Sequence, residues 1–156
     1  MAVDLIAQFK YLLPLACRWV EAQEALILQK GNPLSAQLMV NAAKIGIVNP
    51  DKVRTFNILT IPIPDDPVLQ EACSTSSLVT KKTAGLTLRY GVYIRTDCVS
   101  NHPLHVHELV HVAQYERLGS IRAFLQQYLY EVITIGYPDA PMEQEAIIKT
   151  RTICVQ

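Results

Sequence analysis

Apolar residues recur about every 3.6 positions along most of this chain, which is the spacing of helices that bury one face. Glycines follow several of these segments, where helices commonly end. Prolines and small polar residues precede others, where helices commonly begin. In particular, Asn32–Pro33 has the pattern of a cap followed by a first-turn proline. The pattern predicts helices over residues 4–29, 32–45, 66–73, 103–118, 120–135 and 142–152.

Two further segments have the pattern of β-strands. Residues 53–63 are rich in β-branched side chains and end among Pro62 and Pro64. Residues 86–94 alternate strictly between two sets of positions, which predicts one continuous strand with a single buried face. Together the elements predict an α+β fold. It is mostly helical, with a small β-sheet packed by the helix over 103–118.

Composition agrees with one compact domain over residues 1–156, because half of the 156 residues are hydrophobic and can fill a core. The 14 basic and 14 acidic residues give a net charge of zero without runs of like charge, which excludes a surface for nucleic acid. No apolar run approaches the roughly 20 residues of a membrane span. We therefore expect neither nucleic acid nor a membrane among the partners.

The cysteines indicate a reducing compartment. They are far apart and form no C-x-x-C pair, which excludes a thiolate zinc knuckle and favours reduced thiols. The first segment also lacks the pattern of a secretion signal, because Asp4 precedes Lys10 and Pro14 interrupts a short apolar run. These features predict a cytoplasmic protein. The four cysteines are Cys17, Cys73, Cys98 and Cys154.

The most specific chemistry lies in His107-Glu108-Leu109-Val110-His111. Two histidines four positions apart on a helix lie about 40° apart around its axis, so both rings can direct a nitrogen to one ion. Glu108 cannot easily ligate the same ion, but it can reach a water bound there. This division of roles predicts a mononuclear zinc site with Glu108 as a general base.

A catalytic zinc needs a third protein ligand. Glu116 is on the same helix, five positions past His111, and cannot return to the ion, whereas Glu131 in the next helix stays open. Glu143 and Glu145 lie two positions apart at the start of the last helix. Because a helix turns by about 100° per residue, they point to different faces and only one of them can bind. The downstream acidic candidates are Glu116, Glu131, Asp139, Glu143 and Glu145.

Two motifs of the chain together resemble those of a known family. The run from His107 to Gln114, followed by Glu143-Gln144-Glu145-Ala146, resembles the gluzincin-type zinc metallopeptidases, and most closely their smallest forms. The later motif is similar to that of the C-a-a-X prenyl protease family. The resemblance covers about residues 86–147 and implies a minimal zincin-like domain in which Glu143 is the third zinc ligand. The family usually has an aspartate four residues after this glutamate that orients a histidine, where this chain has Ile147. Support for the histidines is therefore expected to come from elsewhere or to be weaker.

The expected function is zinc-dependent hydrolysis of peptide bonds in a peptide or protein substrate, by a metal-activated water with Glu108 as general base. The alternative is a zinc-binding module of the same fold that no longer hydrolyses anything and acts in protein interaction or assembly. A helical domain without metal is a further alternative. The sequence does not distinguish among oligomeric states.

Several other side chains are weaker candidates. Tyr128, Tyr130 and Tyr137 could each stabilise an oxyanion, and the sequence does not choose among them. Gln114 and Tyr115 continue the histidine stripe, either as supports of the site or as ordinary packing. His105 is expected to face away from the metal. Cys98, Arg89 and Arg95 could meet the metal or a substrate, but a loop position or a solvated face explains them more simply.

Overall fold

The computed structural model describes residues 4–76 and 78–155. Within them, six helices pack around a four-stranded sheet, so the predicted α+β class is confirmed. The helices are α1 (Leu5–Lys30), α2 (Ala36–Ile45), α3 (Pro67–Thr75), α4 (His102–Leu118), α5 (Ile121–Thr134) and α6 (Pro141–Cys154). The strands are β1 (Asn32–Pro33), β2 (Arg54–Ile58), β3 (Gly85–Leu88) and β4 (Gly91–Arg95). Short 3-10 helices cover Pro50–Lys52 and Thr96–Cys98.

The sheet is mixed and has the order β1-β2-β4-β3. β2 and β4 are parallel, whereas β3 pairs with β4 as an antiparallel hairpin and lies at one edge. The amide of Arg95 donates to the carbonyl of Ala84 at 2.8 Å, which fixes the alternation of hydrogen bonds along the hairpin. Because bonded and unbonded pairs alternate, the backbone groups of Gly85 and Thr87 point away from β4, toward the outer edge of β3.

The predicted single strand over 86–94 is wrong, because the chain reverses at Arg89 and Tyr90. Arg89 has φ 61°, a left-handed conformation that non-glycine residues seldom adopt. Glu24 of α1 holds it there by accepting hydrogen bonds at 2.8 and 2.7 Å from the Arg89 guanidinium and at 3.0 Å from the Tyr90 amide. The turn therefore depends on a distant carboxylate, and no local Asn-Gly or Asp-Gly signal marks it.

The prediction of one buried face is also wrong, because helices cover both faces of the sheet. Tyr93 of β4 belongs to a core formed with α1, α3 and α5. Its neighbours Val92 and Ile94 belong to a second core formed with α2, α4 and α6. A strand that is buried on both sides has no solvent-exposed face.

The start of the second helix and the extent of the first strand also differ from prediction. Asn32–Pro33 forms β1, paired with β2, and α2 begins after Ser35, whose hydroxyl accepts from the Leu38 amide at 3.2 Å. β2 ends at Ile58, well before residue 63, since the following segment carries prolines that cannot donate to a ladder. The other predicted helices are present, with ends shifted by one to a few residues.

Within residues 4–76 and 78–155, none of the helices combines the length and hydrophobicity that crossing a bilayer requires.

Candidate metal centre

Helix α4 presents one face to the second core and another to the candidate site. Its first turn is capped by Asn101, whose side chain accepts from the Leu104 amide at 3.2 Å, and it ends at Gly119, with φ 95°. Val106 and Val110 are fully buried in the core shared with α2 and α6. This packing fixes the rotation of the helix and directs His107, Glu108 and His111 into a cavity on another side.

Glu143 of α6 meets both histidines of α4. Its Oε1 lies 2.7 Å from Nε2 of His107, and its Oε2 lies 3.2 Å from Nε2 of His111. One donor atom from each residue lies within 4.8 Å of the other two, so the three can hold one metal ion. The exposed fractions of these side chains are 20% for His107, 8% for His111 and 2% for Glu143. The residues predicted as ligands are therefore brought together in a largely water-excluded place.

Helix α5 positions Glu143 from the other side. The Tyr128 hydroxyl donates to Oε2 of Glu143 at 2.8 Å. Glu131, which the sequence left open as a ligand, instead accepts from the amide of Met142 at 2.9 Å and so anchors the start of α6. The residue predicted as the third ligand is thus placed by contacts between α5 and α6.

His111 is oriented by a chain of buried polar groups. Its Nδ1 donates to the side-chain oxygen of Gln114 at 2.7 Å. The Gln114 amide donates in turn to the Met142 carbonyl at 2.9 Å and to Oε1 of Glu145 at 2.6 Å. A proton held on Nδ1 leaves the Nε2 lone pair free for a metal. Of the two glutamates near the start of α6, Glu143 belongs to the cluster. Glu145 instead accepts a hydrogen bond from Gln114, the residue that orients His111.

A residue other than the one at position 147 orients the histidine. At the position where the resembling family usually has an aspartate, the apolar side chain of Ile147 lines the same cavity as the cluster. Orientation of a histidine comes instead from Gln114, three residues after His111 on the same helix. The sequence left open whether Gln114 supports the site or packs, and the structure shows that it supports His111.

In the metal-free protein, His111 and Glu143 shift each other's pKa. Burial lowers the pKa of His111, but the hydrogen bond to Glu143 and the negative charges of Glu108 and Glu143 outweigh it and raise the pKa to about 9. Burial acts to raise the pKa of Glu143, but hydrogen bonds to both histidines hold it well below its usual range. A bound cation would replace the proton that Glu143 attracts to His111.

Glu108, the predicted general base, lies between the cluster and the edge strand. Oγ1 of Thr87 is 2.9 Å from both the backbone oxygen and Oε1 of Glu108. A Cβ added to Gly85 would lie 3.0 Å from Cγ of Glu108, so this position leaves little room for a side chain. The sequence did not single out Gly85 or Thr87, since Gly85 lies just before the predicted strand over 86–94 and Thr87 was taken as an ordinary position near its start.

Two of the three candidate tyrosines line the cavity. Tyr128 is engaged with Glu143, and Tyr137 is 47% exposed in the loop before α6. Burial, and to a smaller extent the charges of Glu143 and Glu108, raise the pKa of Tyr137 to about 12. Tyr130 is 56% exposed and packs edge-on against Phe9 of α1, away from the cluster.

The remaining candidates have other partners. His105 Nε2 bonds the carbonyl of Val99 at 2.8 Å, in keeping with its predicted place away from the metal. Arg89 is paired with Glu24, and Arg95 with Asp97 at 2.6 Å. Cys98 lies beside Arg95 and Asp97 and is outside the cluster. Glu116 caps a turn by accepting from the Val48 and Asn49 amides.

No family model, curated protein or solved structure matches the chain. The functional assignment therefore depends on the residues of this site and their geometry.

Proposed function

We propose that this chain is a zinc-dependent metallopeptidase with a minimal zincin-like fold. The observation that carries the proposal is the convergence of His107, His111 and Glu143 on one point, with Glu108 beside it. Two imidazole nitrogens and one carboxylate are the donors of many catalytic zinc sites, which keep a further position open. Nitrogen donors also favour zinc over magnesium or calcium, which prefer oxygen.

Zinc, when bound, would lower the pKa of a water toward about 7 and polarise the carbonyl of the scissile bond. Glu108 takes up the proton that the attacking water loses and delivers it to the leaving amine. Its carboxylate is suited to this role because Thr87 fixes one oxygen and Glu108 lines the cavity that holds the cluster. Gln114 keeps His111 in the tautomer that has Nε2 available.

The edge of β3 is the place where a peptide would bind. Gly85 and Thr87 direct backbone groups outward, and the Thr87 carbonyl already accepts from the Tyr115 hydroxyl at 3.4 Å. The Gly85 amide, the Gly85 carbonyl and the Thr87 amide remain for an added strand. Because Gly85 also lies against Glu108, a peptide on this edge would pass close to the base.

The first experiment measures metal content. We expect the purified chain to bind one zinc ion per molecule by elemental analysis, and His111→Ala and Glu143→Gln to lose most of it. His105→Ala is the matched control on the same helix and should keep the zinc, because His105 is outside the cluster. If the wild-type chain binds no zinc at neutral pH, the proposal is wrong.

The second experiment measures hydrolysis. The zinc-loaded chain should cleave an unstructured protein such as casein, and a chelator should stop the cleavage. Glu108→Ala should retain zinc and lose at least about a hundredfold in turnover, the scale expected for a general base. Full activity of Glu108→Ala would contradict the proposed mechanism. Bound zinc without any chelator-sensitive cleavage by the wild type would favour the non-catalytic zinc-binding module.

A further inference from the structure

A cavity of about 660 Å³ extends from the cluster of His107, His111 and Glu143 into the interior of the molecule. Away from the cluster, its buried walls come from α1, α3 and α5 and the segment after α3, and there they are almost entirely apolar. Exposed residues line it on the side of α6 and of the segments that precede β3 and α4. The buried walls include Ala16, Val20, Leu69, Val79, Leu125 and Leu129, and the exposed ones include Lys82, Asn101 and Arg151.

The cavity is much larger than one side chain needs. An apolar cavity of about 150 Å³ accommodates one benzene ring, so this one has roughly four times that capacity. A peptide substrate that offered a single leucine or phenylalanine would leave most of the space empty. The volume instead falls within the range of about 300–1000 Å³ that is usual for sites of organic ligands.

The chemistry of the walls selects among large ligands. A second stretch of peptide would bring amide and carbonyl groups that the buried walls cannot satisfy, since the edge of β3 serves only the segment beside it. A hydrocarbon chain has no such groups. Burial also raises the pKa of the Cys73 thiol to about 11, so this wall residue is uncharged near neutral pH. At the exposed end, Lys82 and Arg151 supply positive charge.

We propose that the cavity binds the long hydrocarbon chain of an amphiphile. The polar end of the amphiphile lies toward the His107, His111 and Glu143 cluster and the exposed cations Lys82 and Arg151. The chain belongs either to a free fatty acid or to an acylated peptide, and the two share the same chemistry at the cavity wall. Only the placement of the polar end depends on the proposed zinc site. Occupation of the apolar part by the chain requires neither zinc nor turnover.

Trp19 provides a local reporter, because it lines the cavity and is the only tryptophan of the sequence. Metal-free protein, kept in chelator, is titrated with brominated stearic acid, whose bromine atoms quench tryptophan on contact. Unlabelled fatty acids from octanoic to palmitic acid are then used to compete, below their micellar concentrations. We expect saturable quenching, and a competitor affinity that rises at least tenfold from octanoic to palmitic acid.

Substitutions on α1 test the location. Ala16→Phe places a ring in the cavity and should weaken binding at least tenfold, whereas Ala22→Phe, the same change at an exposed position of the same helix, should not. Circular dichroism checks that both variants are folded. If Ala16→Phe does not fold, Leu129→Ala replaces it and should shift the preference toward longer chains. Affinity independent of chain length, or equal binding by the folded Ala16→Phe and Ala22→Phe variants, would overturn the proposal.

A final arm distinguishes the two sources of the chain. The zinc-loaded protein is offered one peptide with and without an amino-terminal palmitoyl group. Preferential cleavage of the palmitoylated form identifies the acylated peptide as the ligand. Saturable binding of palmitic acid without that preference identifies a free fatty acid. Since the titration uses metal-free protein, failure of chain binding is separable from failure of zinc binding or hydrolysis.

Discussion

At the scale of single residues, the site is held by a continuous set of polar contacts. Glu143 accepts from Tyr128 and faces both histidines, and His111 is tied through Gln114 to Glu145. Arg117 completes the set by donating to Glu145 at 3.2 Å. Buried polar groups are costly unless they are satisfied, so such a set fixes the positions of its members.

The coupling of His111 to Glu143 predicts how the metal-free protein responds to pH. His111 has a pKa raised from 6.5 to about 9, so its stabilising effect is complete below about pH 6.5 and is lost as the pH rises through 9. Glu143 has a lowered pKa, so its effect is present above about pH 4.5 and is lost as the pH falls. Urea unfolding in chelator should therefore show greatest stability between about pH 5 and 6.5, with a loss of a few kcal/mol by about pH 10.

Glu143→Gln is the control for this pH dependence, because it keeps the shape of the side chain and removes its charge. Its stability should vary much less between pH 6.5 and 9.5. A wild-type stability that stays constant or rises over that interval would contradict the coupling.

The two tyrosines of the cavity should differ in what they control. Tyr128→Phe removes a hydrogen bond to Glu143 and should weaken zinc binding by about 10- to 100-fold. Tyr137→Phe should leave zinc content unchanged and lower turnover by about a hundredfold, the scale of losing one oxyanion donor. Tyr130→Phe, away from the cluster, should change neither value. Zinc competition and steady-state cleavage distinguish these outcomes, and a Tyr137→Phe variant with normal turnover would exclude that role.

At the scale of elements, the sequence predicted those helices whose ends are marked by their own capping residues. The helix carrying His107 and His111 has its own cap at Asn101 and its own stop at Gly119, so its register could be read directly. The place of Glu143 followed from a motif resemblance, since the contacts that bring α6 to α4 are made by remote residues. The hairpin could not be predicted, because Glu24, sixty-five residues away, stabilises the turn at Arg89.

The same hairpin allows a test of whether the edge strand positions Glu108, the proposed base. Gly85→Ala puts a methyl group 3.0 Å from Cγ of Glu108, and we expect turnover to fall about tenfold or more with zinc content unchanged. Gly91→Ala is a matched control, because its methyl group lies equally close, at 3.0 Å, to Cβ of Ile27 and far from the base. It should lower the melting temperature while sparing turnover. Equal losses of turnover in both variants would show that general strain, and not the position of Glu108, is responsible.

At the scale of the whole molecule, the sheet separates two cores, and the site lies where α4 passes between them. Tyr115 of this helix packs in the core of α1, α3 and α5, whereas Val110 packs in the core of α2, α4 and α6. Composition predicted that a sizeable core would form, but a pattern of apolar positions does not tell whether the space between them is filled. The cavity beside the cluster arises from how the helices are spaced, which is a property of the assembled molecule.

Under the proposed peptidase function, the shortness of β3 limits which polypeptides could be substrates. Gly85 and Thr87 leave three backbone groups for an added strand, over a length of roughly 7 Å. A polypeptide can use them only when its own amides and carbonyls are free, which excludes segments already committed to a helix or a sheet. Native globular proteins would therefore resist attack except where they open locally, and the rate of cleavage would follow the frequency of such openings. Loops, tails and damaged chains would be cut first.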